Sequence, residues 1–121
     1  MFPKIERLPE FDRDMKQLLK RFRTLEEDLT TFVKTAVVGY HVHRQQSIGI
    51  VRIERLGFEE PALYKARRFA CKSLKGKGSN TGLRIIYAYF AEESRVVLTE
   101  IYYKGDKENE DRRRIQQHFG A

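Results

Sequence analysis

At 121 residues the chain has room for one modest core, spanning 1–121 as a single domain, and none for a second. Hydrophobic residues at 40% and charged residues at 34% form a folding composition, which excludes an intrinsically disordered chain. Twenty-four Lys and Arg against 17 Asp and Glu leave a net charge of +7, suited to nucleic acid, anionic lipid or an acidic protein without choosing among them.

The first residues, Met1 to Arg7, lack the apolar stretch of a signal peptide, and no segment has the length needed to cross a bilayer. The lone cysteine, Cys71, excludes an internal disulfide and reads as a small buried hydrophobe in a reducing compartment. Both observations point to a cytoplasmic protein without a membrane partner.

After Pro9, residues Phe11, Met15, Leu18, Leu19 and Phe22 recur as the stripe of an amphipathic helix, with Lys16, Lys20, Arg21 and Arg23 on its polar side. Thr24 followed by Glu27 predicts a capping box that opens a second helix, whose apolar face is Leu25, Leu29, Phe32, Val33 and Ala36. Glu26, Glu27 and Asp28 in its first turn complement the helix dipole. Neither helix can bury its own stripe, so the pair is expected as an N-terminal hairpin lying on a sheet.

His41 to Ser47 reads as irregular. Strands are predicted over Ile48 to Leu56, Ala62 to Cys71, Leu83 to Phe90 and Val96 to Tyr103, the last two joined by a short antiparallel connection. Gly76 to Gly82 is a loop, and the charged tail from Asp106 ends in a short helix with Ile115 and Phe119 as its apolar residues. The predicted architecture is α+β, with the helical hairpin on a small, twisted, mainly antiparallel sheet and a short C-terminal helix.

Between positions 65 and 77 stand Lys65, Arg67, Arg68, Lys72, Lys75 and Lys77 with no acidic residue among them, a run able to neutralise several phosphates. In strand periodicity Lys65 and Arg67 share one face, while Tyr64, Ala66 and Arg68 share the other. Arg84 opens an otherwise apolar strand, so its planar fork needs either a phosphate or a carboxylate, Glu100 being the acidic candidate. The Gly76–Lys77–Gly78 stretch lacks the spacing of a P-loop, and His41, His43 and His118 form no zinc pattern, so no metal or cofactor is expected.

Leu63–Tyr64–Lys65–Ala66–Arg67–Arg68, the glycine-rich stretch to Gly82, Leu83–Arg84–Ile85–Ile86–Tyr87 and Glu100–Ile101–Tyr102–Tyr103–Lys104 resemble the strand core of the RelE/ParE toxin superfamily, in its RelE-like or HigB-like branch. That resemblance implies the toxin of a toxin–antitoxin system, an endoribonuclease (mRNA interferase) that works without metal. Such an enzyme cuts messenger RNA, commonly in the ribosomal A site, and so inhibits translation. A cognate antitoxin, messenger RNA and the ribosome are the implied partners.

The family's basic strand positions fall on Lys65 and Arg67 and its strand arginine on Arg84, the three implied catalytic residues. Arg68, Lys72, Lys75, Lys77, Tyr103, Lys104 and Lys107 are the implied RNA contacts. The 2′-hydroxyl of RNA attacks the adjacent phosphorus while cations stabilise the developing charge, and Lys65 would act as base if Arg67 and Arg68 depressed its pKa. The tyrosine or histidine that the family often places after its last strand is missing from Lys104 to Asn109. Two alternatives stand beside the nuclease: a noncatalytic RNA-binding or antitoxin-binding relative, and a ParE-like toxin directed at DNA gyrase.

Overall fold

The computed structural model describes residues 2–47 and 49–120; Met1, Ala121 and Ile48, where a strand was expected to begin, lie outside the described residues. The chain opens on a strand, β1 (Lys4–Arg7), before α1 (Pro9–Leu19) and α2 (Leu25–Phe32). The N-terminal unit is therefore a strand and two helices, not the expected helical hairpin alone. β1 was missed because its four residues, with only Ile5 apolar, carry no local strand pattern. Its conformation comes from parallel pairing with a distant strand, Ile5 opposite Val96 and Arg7 opposite Leu98.

α2 runs on through a π-helical turn, Val33–Val37, into α3 (Val38–His41). The strands β2 (Ile50–Arg52), β3 (Ala62–Ala66), β4 (Leu83–Phe90) and β5 (Arg95–Tyr103) follow, then α4 (Arg112–Phe119). They form a five-stranded sheet in the order β1-β5-β4-β3-β2, antiparallel everywhere except β1–β5. Among the described residues no helix is long and apolar enough to cross a membrane.

Central β4 and β5 are buried on both faces because each face has its own core. On one side Phe11, Met15, Leu25 and Leu29 of α1 and α2 pack on Ile85, Tyr87, Val96 and Leu98. On the other, Ile115 of α4 joins Leu63, Ile86, Val97 and Tyr102. The charged tail is thus a covering layer, with Ile115 wholly buried.

The capping box does not form. The Thr24 hydroxyl donates instead to the Asp28 carboxylate at 2.7 Å and accepts from the Ser73 N–H at 3.0 Å, tying α2 to the loop after β3. The second strand stops at Ala66 rather than Cys71, because beyond the Arg67 N–H, which donates to the Gly49 carbonyl at 2.8 Å, no further rung pairs with β2.

Candidate nucleic-acid interface

β3 and β4 run antiparallel with Lys65 opposite Ile86, so the chain just past β3 lies beside the start of β4. This register brings Arg67, Arg68 and Arg84 together around a cleft of about 250 Å³ completed by Gly49 and Asn80. No carboxylate lines it. The Arg84 guanidinium donates to the Arg67 carbonyl, and Arg68 donates to the Asn80 amide oxygen at 3.0 Å. Arg67 makes no side-chain hydrogen bond or ion pair among the described residues, and it is exposed.

Two residues of the cleft escaped the sequence reading. Gly49 has φ +97°, and a Cβ there would lie 2.8 Å from Cγ of Arg68, so only glycine lets the Arg68 stem cross the chain leading into β2. Asn80 is aimed by a turn in which its N–H meets the Lys77 carbonyl at 3.0 Å. A glycine preceding a β-branched run was the available signal for the first; the second has none in sequence.

Lys65 goes elsewhere. It lies on the sheet face under the α4 segment, where its ammonium meets the Glu110 carboxylate at 2.9 Å, with that carboxylate only 9% exposed. Partial burial pulls the Lys65 pKa down, but the hydrogen bond to Glu110, with the Tyr102 hydroxyl nearby, outweighs it and leaves the value raised. The expected depression by Arg67 and Arg68 does not occur, since those guanidiniums turn to the cleft and a carboxylate faces Lys65 instead. Burial raises the Glu110 carboxyl, and the Lys65 bond reverses this to a net lowering.

The same face carries more paired charge. Buried Glu100, once a candidate partner for Arg84, accepts from Lys107 and, at 2.8 Å, from the Asp111 N–H that opens α4. Arg114 meets Asp14 at 2.7 Å and the Thr99 carbonyl at 3.0 Å. Thr99 is the extra residue of a β-bulge, since Ile86 pairs with Glu100 and Tyr87 with Leu98, so its carbonyl needs a partner outside the ladder.

The remaining candidates are spread around the arginine cleft and beyond it. Lys72 pairs with Glu27 of α2, whereas Lys75 and Lys77 are exposed without an ion-pair partner among the described residues. Tyr103 packs its ring on Phe22 with centroids 5.4 Å apart and under the Arg21 guanidinium at 5.1 Å, leaving it committed to the core edge. Lys104 is exposed, its N–H bonded to the Gly82 carbonyl at 2.8 Å.

His41, read as irregular and unremarkable, ends α3 inside an aromatic cluster on the α1–α2 side of the sheet. Its Nε2 shares a 2.7 Å hydrogen bond with the buried Tyr87 hydroxyl, and its ring stacks on Tyr89 at 4.2 Å. Burial lowers its pKa to about 4 and pushes that of Tyr87 upward, so both are neutral at pH 7.

No family model matches the chain, and no curated protein matches it. Among solved structures, the archaeal RelE–RelB complex of Pyrococcus horikoshii matches with a TM-score of 0.52 at 15% identity, over 87% of this chain and 98% of the other. A conserved hypothetical protein of Helicobacter pylori matches with a TM-score of 0.50 at 22% identity, over 86% and 97%. The E. coli toxin RelE matches with a TM-score of 0.45 at 16% identity, over 89% and 90%. The fold is RelE-like. Within the RelE-like sheet, the arginine cleft occupies the end of β3 and start of β4, and the acid-paired lysines lie under α4.

Proposed function

We propose that this chain is the toxin of a toxin–antitoxin pair, an endoribonuclease that cuts messenger RNA on the ribosome. The observation that carries the reading is the cleft of Arg67, Arg68 and Arg84, three guanidiniums with no carboxylate in the lining, on a RelE-like fold. Unpaired arginines, of which Arg84 is steadied by a backbone oxygen and Arg68 by an amide oxygen, suit a planar, multiply hydrogen-bonded anion such as a phosphodiester.

In the proposed reaction the 2′-hydroxyl gives its proton to water and attacks the neighbouring phosphorus, the P–O5′ bond breaks, the departing 5′-oxygen takes up a proton from Lys65 or water, and a 2′,3′-cyclic phosphate forms. The phosphate passes from monoanion to a dianionic phosphorane, so fixed positive charge favours the transition state over the ground state. Arg84 is anchored on a central strand and leans on the Arg67 carbonyl, which preorganises its own guanidinium beside the exposed Arg67 side chain. Lys65, held as an ammonium by Glu110, acts as a cation or proton donor and not as a base at neutral pH.

The partner proposed for the resting state is an antitoxin carrying acidic residues that compete with RNA for the exposed cations at 67–77. RNA 5′-end sequencing after induction of the intact protein tests the reading: discrete new ends in translated messages support it. Their absence, with RNA still bound, favours a noncatalytic RNA-binding relative. That second reading draws support from the pairing of Lys65 with Glu110, which withholds the one candidate base.

A further inference from the structure

Beside the arginine cleft lies a larger concavity of about 460 Å³, walled by α2, its π-helical turn and the loop after β3. Arg68 belongs to both linings and divides them. The two spaces differ in chemistry. The cleft is polar and cationic, whereas the larger pocket has an apolar floor of Phe32, Ala36, Cys71 and Leu74. Hydroxyls of Thr31, Thr35 and Ser79 stand in its walls. At its rim Lys75 carries a positive charge with no ion-pair partner among the described residues, and Lys72 is occupied by Glu27.

The widened helix helps to shape this wall. A π turn inserts an extra residue per turn and displaces the helix face, and such turns recur at binding sites. Thr35 and Ala36 sit within Val33–Val37, and the Thr35 hydroxyl returns to the Thr31 carbonyl at 2.8 Å. The volume lies in the range of small-molecule sites, and the apolar patch is set among polar groups that include the Asp28 carboxylate, itself engaged by the Thr24 hydroxyl and the Lys72 N–H.

We propose that this pocket is a nucleoside subsite: it takes the base of the nucleotide next to the phosphate held by Arg67, Arg68 and Arg84. The proposal rests on the arginine cleft holding an RNA phosphate. A single strand alternates a charged phosphate with a flat, apolar-faced base, and the molecule alternates a cationic cleft with an apolar pocket in the same order. Lys75, in the same lining and without an ion-pair partner among the described residues, is the cation available to a following phosphate. An acidic peptide would match the cations, but its backbone does not by itself alternate charge with a flat group as a nucleic-acid strand does.

The test uses a short 2′-O-methyl single-stranded RNA, which binds but cannot react, with each position in turn made abasic. For the wild-type protein one abasic position should weaken binding about tenfold, the order expected for one lost base contact. Ala36→Phe fills the pocket, and in that variant the same abasic change should have no effect. A 4-thiouridine at that position should also photo-crosslink to the 71–79 loop of the wild type, a readout that needs no variant to fold.

If every abasic RNA binds like the intact one while Arg84→Ala still weakens binding, the cleft stands and the nucleoside subsite is overturned. If Arg84→Ala and Arg67→Ala both bind as the wild type does, the phosphate site itself fails, and the proposed function with it. If Ala36→Phe loses a glutamate-rich amphipathic peptide but not RNA, the pocket belongs to a protein partner and the subsite falls.

Discussion

At the end of β3 and start of β4, Arg67, Arg68 and Arg84 line a cleft with no carboxylate, whereas under α4 Lys65, Lys107 and Arg114 each meet one. Both regions look alike in sequence, as cations in or beside apolar strands. The difference is what faces them. Glu100, Glu110 and Asp14 convert the second set into a clasp that seats α4, with desolvation offset by pairing and by the Asp111 N–H. In the first set Arg84 and Arg68 are steadied only by a backbone and an amide oxygen and Arg67 by neither, so their charge stays available to an anion. A cation's availability, not its presence in a basic run, marks a binding site.

Substitution on each side should break that comparison in opposite ways. Arg84→Ala is expected to lower single-turnover RNA cleavage about 10²-fold, equivalent to about 3 kcal/mol of transition-state stabilisation. Its thermal stability should stay close to wild type, and Arg84→Lys should recover only part of the rate because a point charge lacks the fork. Full activity of Arg84→Ala would make it a structural residue.

Under α4 the outcome inverts. Arg114→Ala removes the counter-charge of the Asp14 carboxylate, which keeps only the Ile101 N–H, and the side-chain donor to the Thr99 carbonyl, and urea unfolding should show a loss of about 3 kcal/mol. RNA affinity of the folded fraction should not change. A fall in affinity at unchanged stability would mean that the clasp, too, binds RNA.

The aromatic cluster sets a pH limit distinct from both regions. His41 has a folded pKa of about 4, below its ordinary value of 6.5. Above pH 6.5 it is neutral in both states. As pH falls from 6.5 towards 4, the unfolded chain takes up a proton that the folded one refuses, so stability declines across that window. Allowing for its partial contact with solvent, the decline attributable to His41 is about 2 kcal/mol. Comparing unfolding of wild type and His41→Phe over this range isolates it; parallel curves would refute the assignment.

The smallest effect belongs to Lys75. Removing this exposed cation should weaken RNA binding at all sequences and reduce the salt slope by about 1, with cleavage of bound RNA unchanged.

The α+β class, β4 as Leu83–Phe90 and the start of α1 at Pro9 were legible in sequence because each rests on short-range periodicity or a local signal. The gathering of Arg67 and Arg84 was half legible: periodicity put Lys65 and Arg67 on one face, but only the β3–β4 register set Arg67 beside Arg84. What sequence left open was settled by contacts far apart in the chain. β1 exists through pairing with β5 some ninety residues on, Lys65 is claimed by Glu110 from the charged tail, and His41 is neutralised by rings from β3 and β4. Local spacing determines which residues share a strand or a helix face. Which carboxylate, carbonyl or ring a side chain meets depends on tertiary packing, and for charged groups that neighbour decides whether they stabilise the fold or remain free to bind.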